Sequence, residues 1–301
     1  MLAVSCQEEI VTDITVSHDD NLKADTLRVI SYNILEGMKL DAENNYEGFV
    51  EWVNKYDPDV LALEEANGLS KEILSKLAEK WGHNYVETNC EYPGASSYPV
   101  AITSRYEIED VQHIVDNVWH GAIFAKIRGV NFVVLHLYPF GDLRNNAEWD
   151  KPKDLDNDGD IDGDDYRTHE LDVYMGETIK KYPHRQMWLM MGDFNSFSPL
   201  DAGHYVTERS YGTHEVALEM YYDLLKEMHR EFNRTTPTVY GGWNDSRTDG
   251  NRLDFIYGSR ATVQEIVRTD VIYDEFTDQH SDHYPVLLDL RVYENKEGER
   301  D

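Results

Sequence analysis

The chain has little cysteine, little basic charge and no long apolar run. Cys6 and Cys90 are its two cysteines among 301 residues, too few for a disulfide framework. Lys and Arg total 28 against 58 Asp and Glu, which gives a formal net charge of −30. Because nucleic-acid binders usually carry a basic face, this acidity disfavours docking on a polyanion. No apolar run is long enough to cross a membrane, and no internal repeat is evident.

The composition supports one large core. Hydrophobic residues make up 41% of the chain and aromatic residues 12%. A chain of this length buries enough surface for a single domain, and its motifs extend over almost all of it. The sequence therefore predicts one catalytic domain over residues 27–295, preceded by a polar N-terminal tether at residues 1–26.

Polar residues follow short apolar segments at several places in the chain. Residues 186–191 form an apolar run that leads directly into Gly192, Asp193 and Asn195, as a buried strand opening into a loop would. A Gly-Asp pair alone often only makes a turn. Five further strand-like runs repeat the arrangement, and the residues at or beside their ends are Asn33, Glu64, Glu65, His136, Asp254, Asp282 and His283. A shared site explains this set better than packing does.

The order and the residues of these motifs resemble those of the endonuclease/exonuclease/phosphatase superfamily, the group of DNase I-like proteins. The resemblance covers roughly residues 27–291, and its further pieces are Thr-Ser-Arg-Tyr at 103–106 and Ser-Asp-His at 281–283. It implies an α/β fold, a four-layer α-β-β-α sandwich of two mixed β-sheets with the active cleft at one edge. It also implies hydrolysis of phosphate esters assisted by a divalent cation, Mg²⁺ or Mn²⁺.

The resemblance assigns metal ligands and a base. Glu65 would be the principal ligand, with Asn33 and Asp282 close by, since hard oxygen donors suit Mg²⁺. Asp193 would orient or deprotonate the attacking water, while Asn195 would hold that water or a phosphate oxygen.

Two histidines would act on the phosphoryl group. His283 would contact it while Asp254 fixes the imidazole tautomer and favours the protonated form. His136 would donate to charge developing on the phosphate or on the leaving group, although the sequence identifies no carboxylate that orients it. Glu64 is expected to be a neighbour of the ligand, because adjacent strand residues point to opposite faces. Arg105 either binds phosphate or pairs with a structural carboxylate.

Residues 154–165 form a second motif, an acidic loop with the spacing of an EF-hand Ca²⁺ loop. Gly159 stands at loop position 6 and Ile161 at position 8, as that spacing requires. Position 12 is Asp165 where EF-hands use Glu, and in this the loop resembles those of dockerin modules. The sequence predicts a Ca²⁺ site and a helix over residues 166–181; the alternative is a solvated acidic loop. The predicted Ca²⁺ ligands are Asp154, Asp156, Asp158, Asp160 and Asp165.

The start of the chain bears on location. Small residues precede Cys6 and acidic residues follow it, which resembles the end of a bacterial lipoprotein signal, although no charged or fully apolar region stands before it. We expect an extracytoplasmic protein, lipid-anchored through Cys6 at the bacterial cell surface; alternatively Cys6 is an ordinary residue on a loose arm. The millimolar Ca²⁺ outside cells suits the acidic loop.

Three functional classes follow. The first and favoured is a metal-dependent phosphatase or phosphodiesterase, monomeric, acting on a small or lipid-derived phosphate ester. The second is a secreted DNase I-like endonuclease, against which the net charge counts. The third is a non-catalytic, Ca²⁺-binding surface protein, which the intact motif residues oppose. Specificity is expected from residues 138–141 and from the long segment 200–240.

Overall fold

The computed structural model describes residues 24–144, 149, 151–155, 157–182, 186–198, 201, 221–224, 238–239 and 251–293. Within these ranges twelve strands form two six-stranded sheets. The strands are β1 (Ala24–Asn33), β2 (Val60–Glu64), β3 (Tyr85–Thr88), β4 (Ala101–Ser104), β5 (Glu109–Ile114), β6 (Ala122–Ile127), β7 (Val130–His136), β8 (Trp188–Asp193), β9 (Tyr221–Asp223), β10 (Asp254–Ser259), β11 (Ile266–Val271) and β12 (Val286–Tyr293).

Both sheets are mixed. The first has the order β11-β12-β1-β2-β4-β3 and the second β5-β6-β7-β8-β10-β9. The pairs β1–β2 and β7–β8 are parallel, and the other pairs are antiparallel. Parallel neighbouring strands end at the same edge of a sheet. The polar residues at the ends of each parallel pair therefore lie at one edge.

Helices cover the outer faces of both sheets. They are α1 (Leu35–Ala42), α2 (Glu47–Tyr56), α3 (Lys71–Ala78), α4 (Gly163–Glu177), α5 (Arg260–Val263) and α6 (Glu275–His280), with short 3-10 helices at Glu79–Trp81 and Ile179–Lys181. Aromatic and aliphatic residues of α1, α2 and α3 pack on the first sheet, and α4 packs on the second. The predicted α-β-β-α sandwich is confirmed. Among the described helices, none combines the length and the apolar character needed to span a membrane.

Three apolar clusters separate the layers and fix which way each strand residue points. Leu27 and Val29 belong to the cluster between the sheets, whereas Ile30 and Tyr32 belong to the cluster under the helices. This alternation has the period of two that a β-strand imposes. The central strands β2, β7, β8 and β10 are buried on both faces, so each is a nearly continuous apolar run.

The inward-facing rows end in polar residues. On β2, Val60 and Ala62 face the space between the sheets, and Glu64 is next in that row. The same continuation places Asn33 on β1, His136 on β7, Asp193 on β8 and Asp254 on β10 at the end of the inter-sheet core. The sandwich thus gathers the polar ends of five strands into one place because all five rows point inward.

Candidate active site

A cleft of about 660 Å³ opens where these inward-facing rows end. Asn33 and Asp254 lie behind its surface, hydrogen-bonded to residues that line it. Eight of the predicted catalytic and metal-binding residues are therefore together. Those that line the cleft are Glu65, His136, Asp193, Asn195, Asp282 and His283.

Asp193 is at the centre of this group. Asn33 Nδ2 donates to Asp193 Oδ2 at 3.0 Å and lies 3.3 Å from Glu65 Oε1, so one amide joins both carboxylates. The Asn195 backbone N–H donates to Asp193 Oδ1 at 2.8 Å. Burial raises the pKa of Asp193 to about 6, against the opposing effect of His283. A carboxyl group with this pKa suits a general base near neutral pH.

Glu65 and Asn195 both depend on unusual backbone conformations. Glu65 has φ +55° and Asn195 has φ +46°, in the left-handed region that non-glycine residues seldom adopt. The turn after β1 is also left-handed, and there the N–H of Glu36 donates to Glu65 Oε2 at 2.9 Å. Such strain of about 1–3 kcal/mol per residue is typical of functional sites. The sandwich holds these residues in the cleft at that cost.

Gly192 allows β8 to approach β7 closely. A Cβ atom at this position would lie 1.9 Å from the Leu135 carbonyl oxygen, and the backbone φ is +139°. Only glycine fits both conditions. The residue therefore permits the register that sets His136 opposite Asp193.

His283 and Asp254 form a buried pair. His283 Nδ1 lies 2.9 Å from Asp254 Oδ2, and His283 Nε2 lies 3.7 Å from Asp193 Oδ2. Burial lowers the pKa of His283, but the charges of Asp254 and Asp193 outweigh it and leave that pKa well above its usual value. These charges favour the protonated imidazole, and its Nε2 is turned toward Asp193. This orientation agrees with the role that the family resemblance implies for both residues.

His136 stands on the other side of Asp193. Its Nε2 lies 3.6 Å from Asp193 Oδ2, and burial lowers its pKa to about 4. The ring stacks on His120, with centroids 4.2 Å apart, and His120 Nδ1 is bonded to the Ser96 hydroxyl at 2.7 Å. A stacked ring rather than a carboxylate supports His136, and burial favours its neutral form whereas the carboxylates favour the protonated form of His283.

Glu64 lies directly behind the cleft, next to the predicted ligand Glu65. The side chain is fully buried in the inward-facing row, and Glu64 Oε1 accepts from the Ser31 hydroxyl at 3.0 Å. Burial, with the charges of Asp254 and Asp193, raises its pKa well above the usual value. Adjacent strand residues do point to opposite faces, but the left-handed turn at Glu65 brings that residue back to the cleft. Both carboxyl groups therefore reach the same region.

The donor set fits a divalent cation. Glu64 Oε2 and Asp254 Oδ1 are buried without a hydrogen-bond partner among the described residues. A buried oxygen in that condition is costly unless something neutralises it. Asp193, Asp254 and His283 also offer ligand atoms within 4.8 Å of one another. Oxygen-rich sets of this kind suit Mg²⁺ or Mn²⁺.

Two positions in the cleft compete for such a cation. Binding among Asp193, Asp254 and His283 at Nδ1 would break the His283–Asp254 hydrogen bond. Binding beside Glu65 keeps that bond, although Asn33 now presents Nδ2 to the carboxylates and would have to turn its amide to offer oxygen. Asp282 is exposed at the cleft rim and lies near enough to raise the pKa of His283. The predicted ligands Glu65 and Asp282 line the same cleft, and Asn33 lies directly behind it.

Arg105 does not reach the cleft, which corrects its assignment to phosphate binding. The backbone N–H of Arg105 bonds to the Asp59 carbonyl, just before β2 begins, whereas Glu65 follows the end of β2. At about 3.3 Å per residue, the two ends are roughly 15–20 Å apart. The guanidinium pairs with Asp57 at 2.5 Å and lies 3.6 Å from Asp59. Its role is the structural one that the sequence left open.

The acidic loop has part of the expected geometry. The N–H of Gly159 donates to Asp154 Oδ2 at 3.1 Å, and the N–H of Asp160 donates to Asp158 Oδ1 at 2.9 Å. Asp156 lies outside the described residues. Asp165 is buried and accepts N–H groups from Leu155 and Asp162, which makes it part of the capping box of α4. The spacing did not predict this structural role for Asp165.

Other cleft residues gave no signal in the sequence. His120 has no ligand-like spacing in the sequence, yet it lines the cleft with Trp119 and Tyr98. The pairing of β6 with β7 brings Trp119 and His120 beside His136. By contrast, Pro139 and Phe140 come from the predicted specificity turn at 138–141. Most of the segment 200–240 lies outside the described residues.

Known families and structures match this arrangement. The profile of the Endonuclease/Exonuclease/phosphatase family matches residues 30–283. The structure is similar to an AP endonuclease from Archaeoglobus fulgidus, with 18% identity and a TM-score of 0.65 over 89% of this chain and 100% of that one. It is also similar to the 3′ phosphatase NExo from Neisseria bound to a product DNA hairpin, with 16% identity and a TM-score of 0.64 over 88% and 99% of the two chains. No curated protein matches the sequence.

Proposed function

This chain belongs to the endonuclease/exonuclease/phosphatase family, and we propose that it is a Mg²⁺- or Mn²⁺-dependent phosphatase or phosphodiesterase of small or lipid-derived esters. One observation carries the proposal: Asp193 lies within 4 Å of Asn33, His136 and His283 at the floor of an open cleft. The proposed base Asp193, the imidazolium of His283 and the proposed cation ligand Glu65 are thus close together. These are the parts that ester hydrolysis by water needs.

The residues act on the two sides of the reacting phosphorus. Asp193 accepts a proton from the attacking water, and Asn195 holds that water or a phosphate oxygen. As the new P–O bond forms and the bond to the alcohol breaks, the protonated His283 stabilises the phosphoryl oxygens. His136 donates to the phosphate or to the departing oxygen. Glu65, Asn33 and Asp282 would hold the divalent cation, which would supply positive charge against the phosphate.

The net charge favours a small or lipid-derived ester over nucleic acid. None of the described residues that line the cleft is Lys or Arg, and the whole chain carries a charge of −30. A protein that grips a phosphate backbone needs basic side chains to displace counterions. A nuclease is the second candidate, because both similar structures are named for action on DNA or bound to it.

A comparison of three substrates tests the proposal. The purified protein is assayed with Mg²⁺ against p-nitrophenyl phosphate, bis-p-nitrophenyl phosphate and plasmid DNA, alongside Asp193→Asn as a matched variant of the same shape. We expect cleavage of a nitrophenyl ester without DNA nicking, and loss of that cleavage in the variant. Nicking of DNA at a comparable rate would favour the nuclease, and equal activity of Asp193→Asn would refute the mechanism. If the wild type cleaved none of the three substrates, the non-catalytic alternative would be favoured.

We also propose that residues 154–165 bind Ca²⁺. The support is the loop spacing, together with the N–H groups that Asp154 and Asp158 accept and the φ of +103° at Gly159. The test is proteolysis of this loop with and without a Ca²⁺-selective chelator. Faster cleavage on chelation is expected, and an unchanged rate would contradict Ca²⁺ binding.

The proposed location follows from Cys6, which lies outside the described residues. We propose a monomer outside the cytoplasm, held at a bacterial surface by a lipid on Cys6. The test is metabolic labelling with a radioactive fatty acid. We expect label in the wild type and none in Cys6→Ser; an unlabelled wild type would contradict the anchor.

A further inference from the structure

The cleft extends beyond the catalytic group into a part with a different lining. Around Asp193 and Glu65 the lining is acidic, whereas the adjacent part is formed by three aromatic side chains, Tyr98, Trp119 and Phe140, which we call the aromatic wall. All three are only partly buried, so their rings are accessible from the cleft. The mechanism uses none of them.

The aromatic wall stands next to the reacting centre. His120 connects the two parts, because its ring stacks on His136 at 4.2 Å and contacts the Tyr98 ring edge-on at 5.5 Å. The Trp119 ring meets His120 at 6.1 Å and Phe140 at 6.2 Å, both nearly perpendicular. A phosphate held by His136 and His283 would therefore have its ester substituent beside these rings.

Two buried polar side chains on α4 hold the wall in place. Glu170 accepts the backbone N–H groups of Trp119 and Tyr138, each at 2.8 Å. Arg167 donates to the carbonyl oxygens of Tyr138 at 2.9 Å and Phe140 at 3.0 Å. Hydrogen bonds from a guanidinium are charge-assisted and therefore stronger than neutral ones. The loops that carry Trp119 and Phe140 are thus fixed before any ligand arrives.

Close packing reinforces this attachment. A Cβ atom at Gly163, the first residue of α4, would lie 1.8 Å from the Phe140 carbonyl oxygen. The helix start and the Phe140 loop are therefore in direct backbone contact. A wall fixed in this way loses little freedom when a ligand binds, and preorganisation of this kind favours affinity.

The chemistry of the lining selects the ligand. Flat aromatic faces bind the flat apolar face of another ring, and such stacking needs no charge. No Lys or Arg is among the described residues that line the cleft, and the Arg144 guanidinium beside the wall already lies over the Phe140 ring, 4.0 Å from its centroid, while Glu65 and Asp282 repel a second anionic group. The ester substituent that fits is therefore a ring without charge.

Resting on the proposed phosphoesterase function, we propose that the aromatic wall is the subsite for the alcohol group of the ester, and that it selects an uncharged ring. Trp119 is its main contact, since it touches both His120 and Phe140. The substrate class is then a phosphate ester of a cyclic alcohol, in preference to one of a short open-chain alcohol.

The test compares two phosphonates that differ by a ring, benzylphosphonate and methylphosphonate. Their dissociation constants in Mg²⁺ are measured by calorimetry for the wild type, Trp119→Ala, Trp119→Phe and the control Tyr85→Ala. Tyr85 is an exposed aromatic residue of β3 outside the cleft lining. We expect the wild type and Tyr85→Ala to bind benzylphosphonate about tenfold more tightly than methylphosphonate, Trp119→Phe to keep most of that ratio and Trp119→Ala to abolish it.

The outcomes separate this subsite from the proposed function. Equal weakening of both phosphonates by Trp119→Ala, or an unchanged ratio, would overturn the subsite. Phe140→Ala provides the same measurement if Trp119→Ala does not fold. A wild type that hydrolyses esters but binds both phosphonates equally would overturn the subsite alone. A wild type that hydrolyses none but shows the Trp119-dependent ratio would overturn the hydrolase and retain the subsite.

Discussion

Strand β2 has carboxylates near both of its ends, and the two groups have different surroundings. Before the strand, Asp57 pairs with Arg105 at 2.5 Å, and Asp59 Oδ2 accepts the N–H of Arg28 at 2.9 Å. At its other end, Glu64 is bonded to a serine hydroxyl and Glu65 to an amide, and no described Lys or Arg lines the cleft there.

This difference distinguishes charges that serve the fold from charges that serve chemistry. Arg28 also pairs with Asp289 at 2.7 Å, so at that end the carboxylates are matched by protein cations. At the cleft, the carboxylates face one another with His283 as the protonated partner. Keeping like charges together is costly unless an outside cation joins them. We call the end of β2 at Asp57 and Asp59 the matched end and the end at Glu64 and Glu65 the unmatched end. The unmatched end is where we expect ligands and catalysis.

The largest expected effect comes from removing catalytic groups at the unmatched end. Asp193→Asn and His283→Ala should each lower kcat by roughly two to four orders of magnitude, since a positioned base or charge partner is lost. Initial rates with the best nitrophenyl ester measure this. Asp57→Asn at the matched end is the control and should stay near wild-type activity. A comparable loss in the control would erase the distinction between the two ends.

The next effect is stabilisation by a cation. Mg²⁺ at a hundred times its dissociation constant should stabilise the folded state by about 2.7 kcal/mol, which would raise the melting temperature by several degrees. Thermal unfolding with Mg²⁺ or with EDTA measures the shift. Glu65→Gln should reduce it, because the principal ligand is lost. An equal shift in that variant would place the cation elsewhere.

A pH-dependent effect should appear at Glu64 when divalent cations are absent. Its pKa is raised by folding, so the protonated form is favoured in the native state, and stability is lost as pH rises above the unfolded value toward the folded one. Glu64→Gln cannot ionise and should not show this loss. Urea unfolding in EDTA at several pH values tests the difference between the two proteins. Parallel curves for both would contradict a buried, protonation-sensitive Glu64.

The smallest expected effect is at Arg105. Its side chain is 37% exposed and its ion pairs are partly solvated, so Arg105→Ala should cost only about 0.2–1 kcal/mol of unfolding free energy. Activity should remain near that of the wild type because the residue is at the matched end. Denaturant unfolding and ester turnover together test this. A large loss of turnover with unchanged stability would return Arg105 to the substrate site.

The sequence predicted the fold class through its resemblance to the family, and the strands that carry the motifs appear in it as apolar runs. It predicted Asp193, Asp254 and His283 as partners because each follows or begins such a run within a family motif. It did not decide the role of Arg105, for which phosphate binding and a structural ion pair both stayed open. The alternation of side chains along a strand does not predict the left-handed turn at Glu65. The residues of a motif also do not show at which end of β2 a carboxylate pairs with a basic side chain.

The aromatic wall includes residues whose place in the cleft the sequence could not predict. Phe140 lies in a turn that the sequence marked for specificity, but Trp119 and His120 lie in an unremarkable stretch before β6. Their place beside His136 follows from the antiparallel pairing of β6 and β7 and from Glu170 on α4. No local sequence pattern predicts the contact between residues 119 and 170.

By itself, the sequence determined which polar residues stand at strand ends and that their motifs resemble a phosphoesterase family, because residue type and strand periodicity are local properties. Only the tertiary structure decided which of them meet, which carboxylates remain without a basic partner, and what surrounds the phosphate site. These depend on the register between distant strands and on the burial that shifts each pKa, and both arise only when the two sheets pack together.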